Sequence, residues 1–198
     1  MLRCRWWVGA AGLALALVCS CGAAGAADPA AAGAQAERPR LPAIWDSWRP
    51  FLGDWIGEGG GEVGQGTGGF HFAGDLDGRI LLKRNWAEYP ATKDRPAFRH
   101  DDLMLVYREA AAAGLRALYL DNEGHAIHYA AACSAGGDTL TFLSDRAPSA
   151  PRFRLTYVRV GRDSLALRFE IAPPGEPESF SVYTQGIVRR KPPGGKPE

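Results

Sequence analysis

Between residues 41 and 190 the dominant hydrophobic period is two, and turn residues interrupt it every few positions. Ten segments carry that pattern: 54–63, 69–75, 79–89, 102–109, 115–121, 125–133, 139–145, 152–160, 164–172 and 179–190. The gaps between them are too short for the crossovers that parallel strands need, so neighbours must run antiparallel. A meander of this length exposes two edges unless it closes on itself. The expectation is therefore an all-β chain, a ten-stranded up-and-down β-barrel forming one domain over 41–190. One stretch departs from period two: Ile44, Trp45, Trp48, Phe51 and Leu52 recur at helical spacing and predict a short helix packed on the barrel.

The first residues read as processing signal. Arg3 and Arg5 precede an unbroken apolar run at 6–18, too short to span a bilayer but of signal-peptide length. A leader over 1–20, extending to 26 if Ala24-Gly25-Ala26 is the cleavage site, predicts export to a bacterial periplasm. Val18-Cys19-Ser20-Cys21 resembles a lipobox and offers the other ending, a membrane-anchored lipoprotein with lipid on Cys21. Residues 21–40, rich in Ala and Gly, read as a linker, and 191–198 as a frayed tail. Without Arg3 and Arg5 the formal charge of +1 becomes −1, with 21 basic against 22 acidic residues, which points to no nucleic acid and to no membrane contact beyond the anchor. Cys133, without a partner in the body of the chain, reads as a small buried hydrophobe.

In a meander the links alternate between the two ends. Links after the first, third, fifth, seventh and ninth strands share one end and are the longer set, including 63–68, 90–101 and 146–151. The tighter links share the other end with the helix. The helix and tight turns should form a closed base, leaving the longer links to frame a mouth.

Gly53-Asp54-Trp55, preceded by the short helix and answered by Arg189 or Arg190 in the last strand, resembles the signature of the lipocalin and fatty-acid-binding-protein (calycin) superfamily. Phe51-Leu52-Gly53-Asp54-Trp55-Ile56-Gly57-Glu58-Gly59 is similar to the opening of nitrobindin-like barrels, and the body resembles uncharacterised exported bacterial proteins of the same build. The resemblance implies that Trp55 closes the barrel beneath Arg189 or Arg190, and that the cavity takes a small hydrophobic or amphiphilic ligand. Trp55, Arg84, Trp86, Tyr107, Tyr119, Tyr129 and Tyr157 are its candidate contacts. It also implies haem held by a late-strand histidine, but the four histidines are His71, His100, His125 and His128, and none lies beyond 139. No cofactor is expected; haem would have to use His128 or His71.

At the mouth, Glu88 ends the third strand, His100, Asp101 and Asp102 return from its link, and Asp121, Glu123 and His125 belong to the next hairpin. Glu88, His100 and His125 are the candidate acid-base groups of an enzyme reading, and His100, Asp102 and His125 the candidate ligands of a divalent metal. Against both stands the good turn chemistry of Asp121-Asn122-Glu123-Gly124. His125 and His128 lie an odd number apart on a strand and should face opposite ways: with Ile127 and Tyr129 facing the cavity beside His125, His128 looks outward, and a bulge would reverse this. Arg154 alternates with Phe153, Leu155 and Tyr157 and should point outward; Arg84 shares a face with Ile80, Leu82 and Trp86. The glycines at 57–69 lack a phosphate-loop Lys-Ser/Thr, and no serine has a nucleophile-elbow context. A third reading is a structural module with its interior filled by side chains.

Overall fold

Ten strands close into a single antiparallel barrel: β1 (Gly53–Gly57), β2 (Thr67–Asp75), β3 (Ile80–Tyr89), β4 (Phe98–Arg108), β5 (Leu115–Asp121), β6 (Ala126–Cys133), β7 (Thr139–Ser144), β8 (Arg152–Gly161), β9 (Ser164–Ala172) and β10 (Ser181–Arg190). Each pairs with its sequence neighbour, and β1 pairs with β10 through Trp55↔Arg190, Ile56↔Arg189 and Gly57↔Val188. This is the ring that the alternating pattern predicts. It comes from a computed structural model that describes residues 41–57, 66–109 and 114–192. The expected signal peptide, the lipidation residue Cys21, the linker at 21–40, the continuation of the first strand to Val63 and the tail beyond 192 lie outside the described residues.

The short helix spans Ala43–Phe51 and is a 3-10 helix. Its apolar residues explain the tighter winding: Trp45, Trp48 and Phe51 recur every three positions, so three residues per turn stack them on one face. All three are at most 2% exposed. The Trp48 ring meets Phe72 at 6.4 Å and Phe142 at 5.9 Å edge-on, the geometry in which a positive ring edge meets a negative face. Trp45 Nε1 donates to the Gly78 carbonyl at 2.7 Å, and the Cys133 thiol reaches the Ser47 carbonyl at 3.4 Å. A side chain at Gly78 would run into Pro42, with a Cβ only 2.6 Å from the proline ring. The turn at Gly78 and the end of β6 at Cys133 therefore lie against the helix at one end of the barrel.

Alternation decides what lies inside. Trp55, Phe70, Phe72, Leu81, Met104, Val106, Ala117, Tyr129, Phe142, Tyr157 and Leu165 are all buried and belong to one cluster with the helix. Each such aromatic or aliphatic side chain withdrawn from water is worth about 1.5–3 kcal/mol.

Two expectations are corrected here. On β3 the interior face is Leu81, Lys83, Asn85, Ala87 and Tyr89, because Leu81 and Lys83 are buried at 0% and 3% exposure. Ile80, Leu82, Arg84 and Trp86 consequently face outward, where Leu82 aligns with Leu105 and Leu118 on the outer surface. Both faces of this strand are apolar enough to be buried, and the register with β4 selects one of them. Second, β4 starts at Phe98 rather than at 102, since Phe98–Asp101 pair with Trp86–Tyr89 instead of forming a link.

Candidate functional site

Moving His100 from a loop into β4 changes its chemistry, because His100 and Asp102 are now two residues apart on the strand and share the interior face with Met104 and Val106. Above the aromatic core this face carries a connected set of polar groups. Lys83 Nζ lies 3.5 Å from Asp102 Oδ1, over the Phe70 ring at 5.1 Å. Asn85 Nδ2 donates to Asp102 Oδ2 at 2.8 Å, and His100 Nε2 stands 3.3 Å from that same oxygen. His100 Nε2 also lies 3.2 Å from the Tyr119 hydroxyl, whose own proton goes to Asp121 Oδ2 at 3.1 Å. The other imidazole nitrogen, Nδ1, meets Glu123 Oε1 at 2.7 Å.

Asp121 is held hardest. Its Oδ1 accepts the backbone N–H groups of Glu123 at 3.0 Å and of His125 at 2.9 Å, while Oδ2 takes His125 Nδ1 at 2.8 Å as well as the Tyr119 hydroxyl. The hairpin turn thus fixes one carboxylate on the interior face with its side chain 3% exposed, and His125 closes over it from the rim at 60%.

These contacts set the charges. Burial works to lower the Lys83 ammonium, but Asp102 and then Tyr157 outweigh it and hold its pKa above the ordinary lysine value. Burial works to raise Asp102, and Lys83 together with His100 more than reverses this, so the carboxyl stays ionised below the usual range. His100 is pushed up to about 9, chiefly by its hydrogen bond to Asp102, against burial and with help from Glu123. Burial raises the Tyr119 and Tyr129 phenols, which therefore stay neutral. At neutral pH His100 is accordingly a doubly protonated donor, able to give a proton or hold an anionic oxygen but not to take a proton.

Toward the rim the interior face becomes aromatic and wet. Tyr89 stacks on Phe98 at 6.1 Å across β3 and β4. From β8 to β10, Phe153 stacks on Phe169 at 5.9 Å and Phe169 meets Tyr183 edge-on at 6.0 Å. A register irregularity at 182–184 accompanies the placement of Tyr183. Phe98 and Tyr183 remain 44% and 55% exposed. A concavity of about 500 Å³ lies at the lip of this rim, bounded by Tyr89, Pro90 and Phe98 and by the outward-facing Glu88 and Arg99. A second, of about 650 Å³, lies on the outer surface of β8–β10 along Arg154, Thr156, Arg168 and Gln185.

The candidates named from the sequence divide between the two faces. Trp55, Tyr119, Tyr129, Tyr157, His100, Asp102 and His125 are on the interior side. Arg84, Trp86 and Tyr107 are on the outer surface, so they do not line the interior as expected. Glu88 does not join His100 and His125; it faces outward and pairs with Arg99, whose guanidinium also lies 5.6 Å over Trp86. Of the three candidate metal ligands, His100 and Asp102 meet, Nε2 to Oδ2 at 3.3 Å, whereas His125 is engaged with Asp121. Arg154 points outward, paired bidentately with Glu170 at 2.7 and 2.8 Å. His71 and His128, the histidines available to a porphyrin, are both exposed on the outer face, so the interior gains no axial ligand from either. Arg190 sits 4.3 Å over the Trp55 ring, whereas Arg189 faces outward and reaches Ser164 Oγ at 2.9 Å.

Lys83 and Asn85 escaped the sequence reading, as did the rim aromatics Tyr89, Phe98, Phe153, Phe169 and Tyr183. The available signal was the alternation Leu81, Lys83, Asn85, which looks like a solvent face until its neighbour across the ladder, Met104, is seen to be core.

No protein-family model matches the chain, and no curated protein matches it.

Proposed function

We propose that the protein is an exported, ligand-binding barrel of the lipocalin and fatty-acid-binding-protein superfamily, released to the periplasm or tethered there through Cys21. Its ligand is a small amphiphile held in the rim half of the barrel. The observation that carries this reading is the pair Phe98 and Tyr183, large aromatic side chains on the interior side of the barrel that remain 44% and 55% exposed above a polar floor. Apolar walls around a few fixed polar groups are the general form of a small-molecule site. The hydrocarbon part would cover the Tyr89–Phe98 and Phe153–Phe169–Tyr183 rings, and the polar end would meet His100 and Tyr119. The helix and the packed base leave the deep interior to the protein's own tryptophans, so the ligand would not run the length of the barrel.

That filled base also favours a second reading, a structural module that binds nothing. Native mass spectrometry of protein purified from its own envelope separates the two, together with titration of the fluorescent amphiphile anilinonaphthalene sulfonate. A retained lipid-like mass, or saturable dye binding lost in Phe98→Asp, supports ligand binding. A clean apo mass with no saturable dye binding sinks it.

A further inference from the structure

Leu82, Leu105 and Leu118 stand side by side on β3, β4 and β5, and Leu103 pairs with Leu120 in the next row toward the rim. Ile80 and Tyr107 form the row on the other side. All of them face away from the interior, because Leu81, Met104, Val106 and Ala117, which alternate with them, belong to the core. We propose that this outer face is the contact surface of a homodimer, in which a second copy of the chain covers the leucines.

A strand with one wet face alternates, whereas a strand covered on both faces reads as an unbroken apolar run. Ile80-Leu81-Leu82 and Leu103-Met104-Leu105-Val106-Tyr107 are such runs. Across the barrel the outer face is of the opposite kind: Arg154 pairs with Glu170, and Thr156 with Arg168 in the next row. The wall at β3–β5 is therefore built to be covered, and the wall at β8–β9 to be solvated.

The rest of the chain is unsuited to cover it. Leu41 lies against Gly74 and Gly78 at the β2–β3 turn, so the preceding residues start within reach. Yet residues 22–40 hold no apolar side chain larger than proline, and 193–198 none either, so neither segment offers the area that five leucines need. An identical leucine face does offer it, and homodimer contacts are the more apolar class of interface. The charges that frame the face are met within the chain, Arg116 by Asp145, Arg99 by Glu88 and Asp101, and His71 by Asp54. A second copy thus encounters little field of its own sign. Arg84, exposed between Leu82 and Trp86, can lay its stem along the leucines and keep its head in water.

Size sets the strength. From Ile80 to Trp86 the face rises about 20 Å, and three strands with their side chains are about 15 Å wide, so the apolar centre covers about 300 Å². With its polar frame each copy would bury about 600 Å², at the low end of stable interfaces, and a dissociation constant of about 10–100 µM is expected. Contact through this wall leaves the rim open, so the dimer forms whether or not Phe98 and Tyr183 take an amphiphile.

Sedimentation equilibrium of the full chain, over concentrations spanning that constant, tests it. The expected result is a monomer–dimer equilibrium that Leu120→Asp weakens about tenfold or more, since a carboxylate would be buried there without a partner. Leu120 is already 37% exposed, so the substitution leaves the barrel folded. Val160→Asp, at a residue 56% exposed on β8, should associate as wild type does. Concentration-dependent amide shifts confined to β3–β5 in the wild-type NMR spectrum read the same contact without any substitution. A monomer throughout the range overturns the proposal and leaves the leucine face to a different chain. Association that Leu120→Asp leaves unchanged overturns it equally.

Discussion

The Arg190 guanidinium lies 4.3 Å over the face of Trp55 and donates to two carbonyls at the end of the helix, Leu52 at 2.7 Å and Pro50 at 2.9 Å. Trp55 Nε1 in turn donates to the Phe51 carbonyl at 2.9 Å. The last strand, the first strand and the helix are therefore joined at one point, where the ring of strands closes. A planar fork with several donors suits this point better than an ammonium. Arg190→Ala is expected to cost about 2–3 kcal/mol in urea unfolding, from the lost cation–π contact and charge-assisted bonds. Arg190→Lys should recover little of it.

Gly53 makes room for that guanidinium. Its φ is +116°, and a Cβ there would fall 2.6 Å from Arg190 Nη1. Gly53→Ala therefore combines backbone strain with displacement of Arg190, and is expected to destabilise by about 2 kcal/mol or more. The check is the midpoint of equilibrium unfolding, with Gly124→Ala, which has open space at its own positive φ, reporting the backbone term alone.

Lys83 and Asp102 test whether the interior ion pair stabilises or merely balances. Asp102→Ala strands the Lys83 ammonium among aromatic rings and should cost about 3–5 kcal/mol. Lys83→Met with Asp102→Leu removes both charges and should regain most of that loss. A double mutant no more stable than Asp102→Ala would show that the pair holds other groups in place beyond its own charge.

His100 links stability to pH. Its folded pKa, raised to about 9 from an ordinary 6.5 by Asp102 and Glu123, means that the folded chain holds this proton more tightly than the unfolded chain. Its contribution is complete below pH 6.5 and is lost as pH rises through about 9. The stability difference between wild type and His100→Gln should therefore shrink steadily from pH 6 to pH 10. Partial solvent access keeps the effect below the full value of the shift.

The two faces of β4 offer a direct test of which side is core. Met104 is 1% exposed and meets the interior, so Met104→Ala should cost about 3 kcal/mol. Leu105 is half-buried on the outer surface, and Leu105→Ala should cost about 1 kcal/mol or less. Equal losses would contradict the alternation on which the interior assignments rest.

Much of this architecture is written in local pattern. Alternation cut by turn residues determines ten antiparallel strands, the spacing of Trp45, Trp48 and Phe51 determines a helix, and short links determine which turns gather around it, because each depends only on residues close in the chain. The face of Arg154 was legible for the same reason, since one side of β8 is plainly more apolar, whereas for β6 the sequence left open a bulge that would have exchanged His125 and His128. Only closure of the ring decided β3. Ile80, Leu82 and Trp86 compete there with Leu81, and the winning side is set by register with Met104 and Val106, more than twenty residues away. Closure likewise turned Phe98–Asp101 into strand, since polar residues at a wet rim carry no alternation of their own and become ordered by pairing with Trp86–Tyr89. The candidate site followed from that step: His100 was recognisable in the sequence as a mouth residue, but Lys83 and Asn85, which hold its partner Asp102, share a face with it only through the pairing of β3 with β4.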